Sequence, residues 1–126
     1  DASVAIEVLL KTLGSEAITE RILEERGGLH APHLIDIEVA QVLRRYVARS
    51  EMTGPRAREA LEVLAAFPLT RYPHTPMLRR MWELRDNLTV YDAAYVALAE
   101  GLGATLLTRD ARLAGAPRFR ARVEVV

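Results

Sequence analysis

Four acidic residues, Asp1, Glu38, Asp92 and Asp110, have the type and placement that a divalent-cation pocket requires. Asp92 falls on a helical pattern beside Leu88, Tyr95, Val96 and Ala99, at the i−4, i+3, i+4 and i+7 positions. An ionised carboxylate on such an apolar face costs on the order of several kcal/mol without a partner. A local account is equally ordinary, because Thr89-Val90-Tyr91-Asp92 has the form of a capping box. Asp110 follows the apolar run 104–107, so it is expected at the carboxyl end of a buried strand, where open α/β sheets bind ligands. It also suits a helix cap before Ala111. Asp1 precedes the first helical pattern and shares that alternative. Glu38 lies in the first turns of another helix, beside the stripe of Ile35, Val39 and Val42, and an exposed flank is the commonest fate of such a glutamate.

Taken together, two of the acids are expected beyond strand ends and two in the first turns of helices. A parallel sheet brings such points to one rim. Carboxylates gathered there repel, and protons or a cation must relieve them. An all-oxygen, thiol-free set suits Mg²⁺ or Mn²⁺, and the chemistry such an ion supports is attack of water on a phosphodiester. Asp36 and Asp86 read as turn or cap residues, and Glu24-Glu25 as a solvated face.

The elements that must position these acids follow from the apolar spacing. Helices are predicted from about residue 3 to Gly14, from a Ser15 cap to about Arg26, and over 34–50, 54–67, 75–84 and 90–102. Short strands are predicted over 29–32, 68–72, 104–107 and 122–126. Gly27-Gly28 and Gly101-x-Gly103 read as helix stops. Strands alternating with longer helices predict an α/β fold, a three-layer helix–sheet–helix sandwich with a mainly parallel sheet. It forms one domain over residues 1–126. Residues ahead of Asp1, if the chain has them, are expected to supply a first central strand.

Composition narrows the alternatives. The 126 residues contain no cysteine, which excludes disulfides and thiolate metal sites. No apolar run approaches the ~20 residues of a membrane span, and cytoplasmic residence is the default expectation. With 17 basic and 17 acidic residues the formal charge is zero, so bulk charge does not mark a nucleic-acid binder. All the basic residues except Lys11 are Arg, whose fork suits phosphate, although codon bias produces the same composition. The clusters Arg44-Arg45-Arg49, Arg56-Arg58, Arg79-Arg80-Arg85 and Arg109-Arg112 could meet RNA or an acidic protein, and none is assigned to the site. His30, His33 and His74 fit no compact zinc motif. No phosphate-binding glycine loop or nucleophile elbow is present. Tyr46, Tyr72, Trp82, Tyr91 and Tyr95 read mainly as core.

Four segments carry a family resemblance: Asp1-Ala2-Ser3-Val4-Ala5; Ala31-Pro32-His33-Leu34 leading to Glu38-Val39-Ala40; Leu88-Thr89-Val90-Tyr91-Asp92-Ala93-Ala94-Tyr95-Val96-Ala97-Leu98-Ala99; and Leu106-Leu107-Thr108-Arg109-Asp110. In this order they resemble the signature segments of PIN-domain nucleases, most closely the VapC-type toxins of toxin–antitoxin systems. The resemblance covers essentially the whole chain, and the third segment is its most specific part. It implies Mg²⁺- or Mn²⁺-dependent endonucleolytic cleavage of RNA by activated water. Asp1, Asp92 and Asp110 would be the metal ligands, with Glu38 completing the catalytic set. Thr108 matches a hydroxyl that hydrogen-bonds beside the last acid. Gln41 stands where many members carry Asn. The resemblance also implies an antitoxin partner and a homodimer. The rival readings are a PIN-like module that holds RNA or antitoxin without cutting, and a metallohydrolase of small phosphate esters.

Overall fold

Helix and strand alternate along the chain much as the apolar spacing predicts. The computed structural model describes residues 1–24, 27–116 and 119–126. In chain order they form α1 (Ala2–Leu10), α2 (Ser15–Leu23), β1 (Leu29–Pro32), α3 (Leu34–Ala48), α4 (Gly54–Ala66) and β2 (Leu69–Tyr72). A 3₁₀ turn (Thr75–Met77) follows, then α5 (Leu78–Glu83), α6 (Val90–Leu102), β3 (Thr105–Thr108), α7 (Ala111–Ala114) and β4 (Arg122–Val125). Both ladders are parallel, β1 with β2 from Leu29↔Leu69 to Pro32↔Tyr72, and β3 with β4 from Thr105↔Arg122 to Thr108↔Val125. Among the described residues these are two separate pairs. A cavity of about 600 Å³ is lined by residues of both pairs, including Leu29, Ala31, Leu106 and Leu107, and by Leu9 and Tyr95.

The most apolar helix is the centre of the molecule. Every residue of α6 from Ala93 to Ala99 is buried. Burial all round a helix needs small side chains where neighbours approach, and four of those seven residues are alanine. Thr89 starts the helix by accepting the Asp92 amide at 3.1 Å, and Gly103 ends it at φ 62°, a conformation that costs glycine least. Against this centre, α3 contributes Ile35, Val39 and Leu43, one turn apart, and α4 contributes Ala57, Ala60 and Leu64.

Several boundaries differ from expectation. Helix α1 stops at Lys11, which takes the left-handed conformation at φ 52°, rather than at Gly14. Gly14 precedes α2, and Ser15 is its buried first residue rather than its cap. Helix α2 ends at Leu23; the predicted end near Arg26, like Glu25 of the predicted solvated face, lies outside the described residues. The helix predicted over 75–84 is a 3₁₀ turn followed by α5. With three residues per turn, that start rotates the apolar stripe. Met81 and Leu84 therefore face inward, while Leu78 and Trp82 are 55% and 65% exposed. Trp82 carries Arg85 at 4.9 Å over its ring, and Tyr91 is also exposed, so neither aromatic is core.

Three arginines tie distant elements together. Arg71 grips Asp36 through Nε at 3.0 and 2.8 Å and reaches the Leu64 carbonyl at 2.8 Å, which makes Asp36 an ion-pair partner rather than a turn or cap residue. Arg21 joins α2 to Glu124 of β4. Arg80 of α5 holds Glu100 of α6 at 2.7 and 3.0 Å, and the Arg120 amide donates to the same carboxylate. The Arg80 guanidinium holds the Glu100 carboxyl below the usual glutamate range. Because the Glu100 side chain is only 13% exposed, this bond is shielded from water. Glu100→Gln is expected to lower stability at neutral pH by about 1–3 kcal/mol, measured by urea unfolding. A depressed carboxylate pKa stabilises above the ordinary value of 4.5 and loses that contribution as pH falls through the lower folded value. The gap between wild type and variant should therefore close on acidification.

Candidate active site

Strand β3 ends at Thr108, and its side chain organises two of the four acids. Thr108 is fully buried. Its hydroxyl donates to Asp1 Oδ2 at 2.6 Å and accepts the Asp110 amide at 2.9 Å. Asp1 Oδ1 meanwhile caps α1, accepting from the Ser3 and Val4 amides at 3.1 and 3.3 Å. The Asp1 nitrogen donates to the Leu107 carbonyl at 2.7 Å, and the Ser3 hydroxyl accepts the Arg109 amide at 3.0 Å. The start of α1 is thereby docked on the carboxyl end of β3, the rim anticipated from the strand pattern. Capping and site placement are not rivals here, since Asp1 uses one oxygen for each.

Glu38 reaches the same region through an aromatic. The Tyr95 hydroxyl donates to Glu38 Oε2 at 2.6 Å, from a ring that is 6% exposed. Burial first, then the Glu38 carboxylate, pushes the Tyr95 hydroxyl far above its ordinary range, so it remains a proton donor at any working pH. Asp92 sits three residues ahead of Tyr95 on α6. It is only half-buried, less enclosed than its apolar neighbours suggested, and its Oδ2 accepts the Thr89 hydroxyl at 2.7 Å. The capping-box reading of Asp92 is thus part of its structure. Asp110 caps α7, accepting the Arg112 amide at 2.9 Å, and is held by the Arg112 guanidinium at 3.0 and 2.8 Å. That contact draws the Asp110 carboxyl below the usual range.

These links form a circuit. Asp1 and Asp110 share Thr108; Arg112 grips Asp110 and feels the charge of Asp92; Asp92 and Tyr95 share one face of α6; Tyr95 holds Glu38, whose charge reaches the Asp1 nitrogen. The four acids are thus linked through shared partners. The circuit is not yet a cage, however: among the described residues no three acidic or histidine side chains stand close enough to share one ion. The physical reason is that each carboxylate has its own donor, from Thr89, Tyr95, Thr108 or Arg112, which relieves the repulsion without a cation. The carboxylate oxygens of the four acids are the hard ligand atoms that Mg²⁺ or Mn²⁺ requires.

Two residues of the site were missed in the sequence. Tyr95 reads as core because its ring is core, and nothing in a single chain shows where the hydroxyl ends. Arg112 was one arginine among sixteen, distinguishable only by its position two residues after Asp110. The histidines are engaged elsewhere: His74 accepts the Leu34 amide at 3.2 Å, and His30 meets the Tyr72 hydroxyl at 3.1 Å. Gln41 is exposed and accepts from Arg44 at 3.0 Å.

The described helices include none long and apolar enough to cross a membrane. Over residues 1–118 the chain matches the family model described as the PIN domain. It is 42% identical over 127 residues to Ribonuclease VapC1 of Mycobacterium tuberculosis, covering 100% of this chain and 95% of that protein. Ribonuclease VapC9 of the same organism is 40% identical over 126 residues, covering 100% of this chain and 95% of the relative. For Ribonuclease VapC12 the identity is 38% over 126 residues, with 100% and 96% covered. The rim of acids at the end of β3 and these full-length likenesses agree: the chain belongs to the PIN-domain family, among the VapC-type proteins.

Proposed function

We propose that this protein is a Mg²⁺- or Mn²⁺-dependent endoribonuclease and the toxin half of a toxin–antitoxin pair. The observation that carries the reading is the Thr108 hydroxyl bridging Asp1 and Asp110 at the end of β3. Asp1, Asp92 and Asp110 would hold the ion, and Glu38 would complete the pocket. A bound divalent ion supplies an acidified water and neutralises charge building on the phosphate. The chain's own residues do the rest. Thr108 would hold the Asp1 carboxylate and the Asp110 backbone at one strand end, and Tyr95 would fix Glu38 so that a free oxygen remains to orient water.

RNA phosphates are met by arginine forks on an otherwise neutral molecule. Unstacked loop or single-stranded RNA suits a rim whose acids must reach the backbone. The relatives' names, each a ribonuclease, support RNA as the substrate class; an antitoxin partner and a homodimer are what the resemblance implies. The cavity between β1 and β3 supports a further part of this reading. An extended segment ahead of Asp1 would enter beside β3, where the Asp1 nitrogen already donates to Leu107, and join the two strand pairs.

The discriminating experiment incubates the purified protein with mixed RNA in Mn²⁺ or Mg²⁺, beside EDTA and Asp92→Asn controls. Cleavage that stops in both controls is expected, and cleavage surviving both rejects the metal pocket. If the folded protein binds Mn²⁺ yet cuts no RNA, a holding module is the better reading; phosphate released only from small esters points to a phosphohydrolase. Thr108→Val keeps the shape but strips both hydrogen bonds. It should cost about 1–3 kcal/mol of stability in urea unfolding and about 10- to 100-fold in cleavage. Tyr95→Phe should keep the fold, with a thermal midpoint near wild type, while cleavage drops about tenfold through loss of Glu38 orientation.

A further inference from the structure

Arg112 differs from the three arginines that tie distant elements together, and its fork covers both oxygens of one carboxylate where Arg56 and Arg79 make single hydrogen bonds. Arg71, Arg80 and Arg21 join residues 35, 20 and 103 positions apart, with side chains 22%, 34% and 28% exposed. Arg112 grips a residue only two positions away, and its side chain is 92% exposed. A pair between near neighbours in solvent holds no elements together and contributes little stability. The Asp110 side chain in that pair is itself 39% exposed, so it is open to other ligands. Capping of α7 does not need the guanidinium, since the Arg112 amide makes that bond at 2.9 Å. What the guanidinium does is cover both oxygens of Asp110, Nε on Oδ1 and Nη2 on Oδ2, while feeling the charge of Asp92.

We propose that Arg112 is an exchangeable counter-ion of the acidic rim: it neutralises Asp110 until a divalent cation takes the carboxylate, and then binds the RNA phosphodiester. This rests on the metal-pocket reading above. The exchange is electrostatically reasonable, because a divalent ion and a guanidinium compete for the same two oxygens. The fork that fits a carboxylate bidentately also fits two non-bridging phosphate oxygens. Tethered two residues from Asp110, the released side chain stays on the rim where the scissile phosphate must lie. Arg112 thus opposes metal entry but favours substrate binding, and removing it should move the two in opposite directions.

The test measures Mn²⁺ binding by calorimetry and RNA cleavage at saturating Mn²⁺ for wild type, Arg112→Ala, Arg112→Lys and Asp92→Asn. Arg112→Ala is expected to bind Mn²⁺ several-fold more tightly, while KM for RNA rises about tenfold with the thermal midpoint unchanged. Arg112→Lys keeps the charge without the fork, and should fall between the two in KM. Mn²⁺ affinity and KM both unchanged in Arg112→Ala would overturn the proposal, as would changes confined to the melting temperature. Asp92→Asn keeps the two questions apart. If that variant binds Mn²⁺ and cuts RNA as wild type does, the metal-pocket reading fails; if it loses both while Arg112→Ala behaves as wild type, only the role of Arg112 fails.

Discussion

A buried hydroxyl between two carboxyl-bearing residues is the constraint on which the site depends. Thr108 has no exposed surface, and it both donates to Asp1 and accepts from the Asp110 amide. A buried hydroxyl must find partners, and one placed at a strand end can satisfy itself only by recruiting the chain on either side. It therefore anchors the start of α1 and the turn into α7 to the same end of β3. Two acids separated by nearly the whole chain become neighbours without either being buried.

Around that anchor, charge is balanced one carboxylate at a time. Thr89, Tyr95 and Arg112 each serve a different acid, and the surrounding helices hold those partners in place. Helix α6 matters most, because it presents Asp92 in its first turn and the Tyr95 hydroxyl one turn later. Its alanines let β1, β3 and α5 pack closely around it, so the spacing between Asp92 and Tyr95 is set by a rigid element. The outcome is an acidic rim whose repulsion is relieved by exchangeable donors. A cation could replace such donors more cheaply than it could open a more shielded ion pair like Arg80–Glu100.

Much of this was legible from residue order. The spacing of apolar residues located the helices and strands to within a few positions, and Pro, Gly and Ser/Thr signals located most of their ends. Errors came where local geometry had two solutions. Lys11 took the left-handed turn that ends α1, leaving the left-handed Gly14 to precede α2, and α5 turns Met81 inward and Trp82 to water. Asp36 looked like a turn residue because its partner, Arg71, lies 35 positions away.

Residue order alone determined which acids sit at strand ends and helix starts, since those positions follow from local periodicity and the parallel α/β pattern. Asp1, Glu38, Asp92 and Asp110 were singled out on that basis together with the signature segments around them. Only the tertiary structure decided what each carboxylate touches. Thr108 as a bridge, Tyr95 as the donor to Glu38, and Arg112 as the cover of Asp110 depend on side-chain directions in the packed rim. A hydrogen bond is fixed by distances of a few tenths of an ångström, and sequence spacing constrains the backbone much more loosely than that.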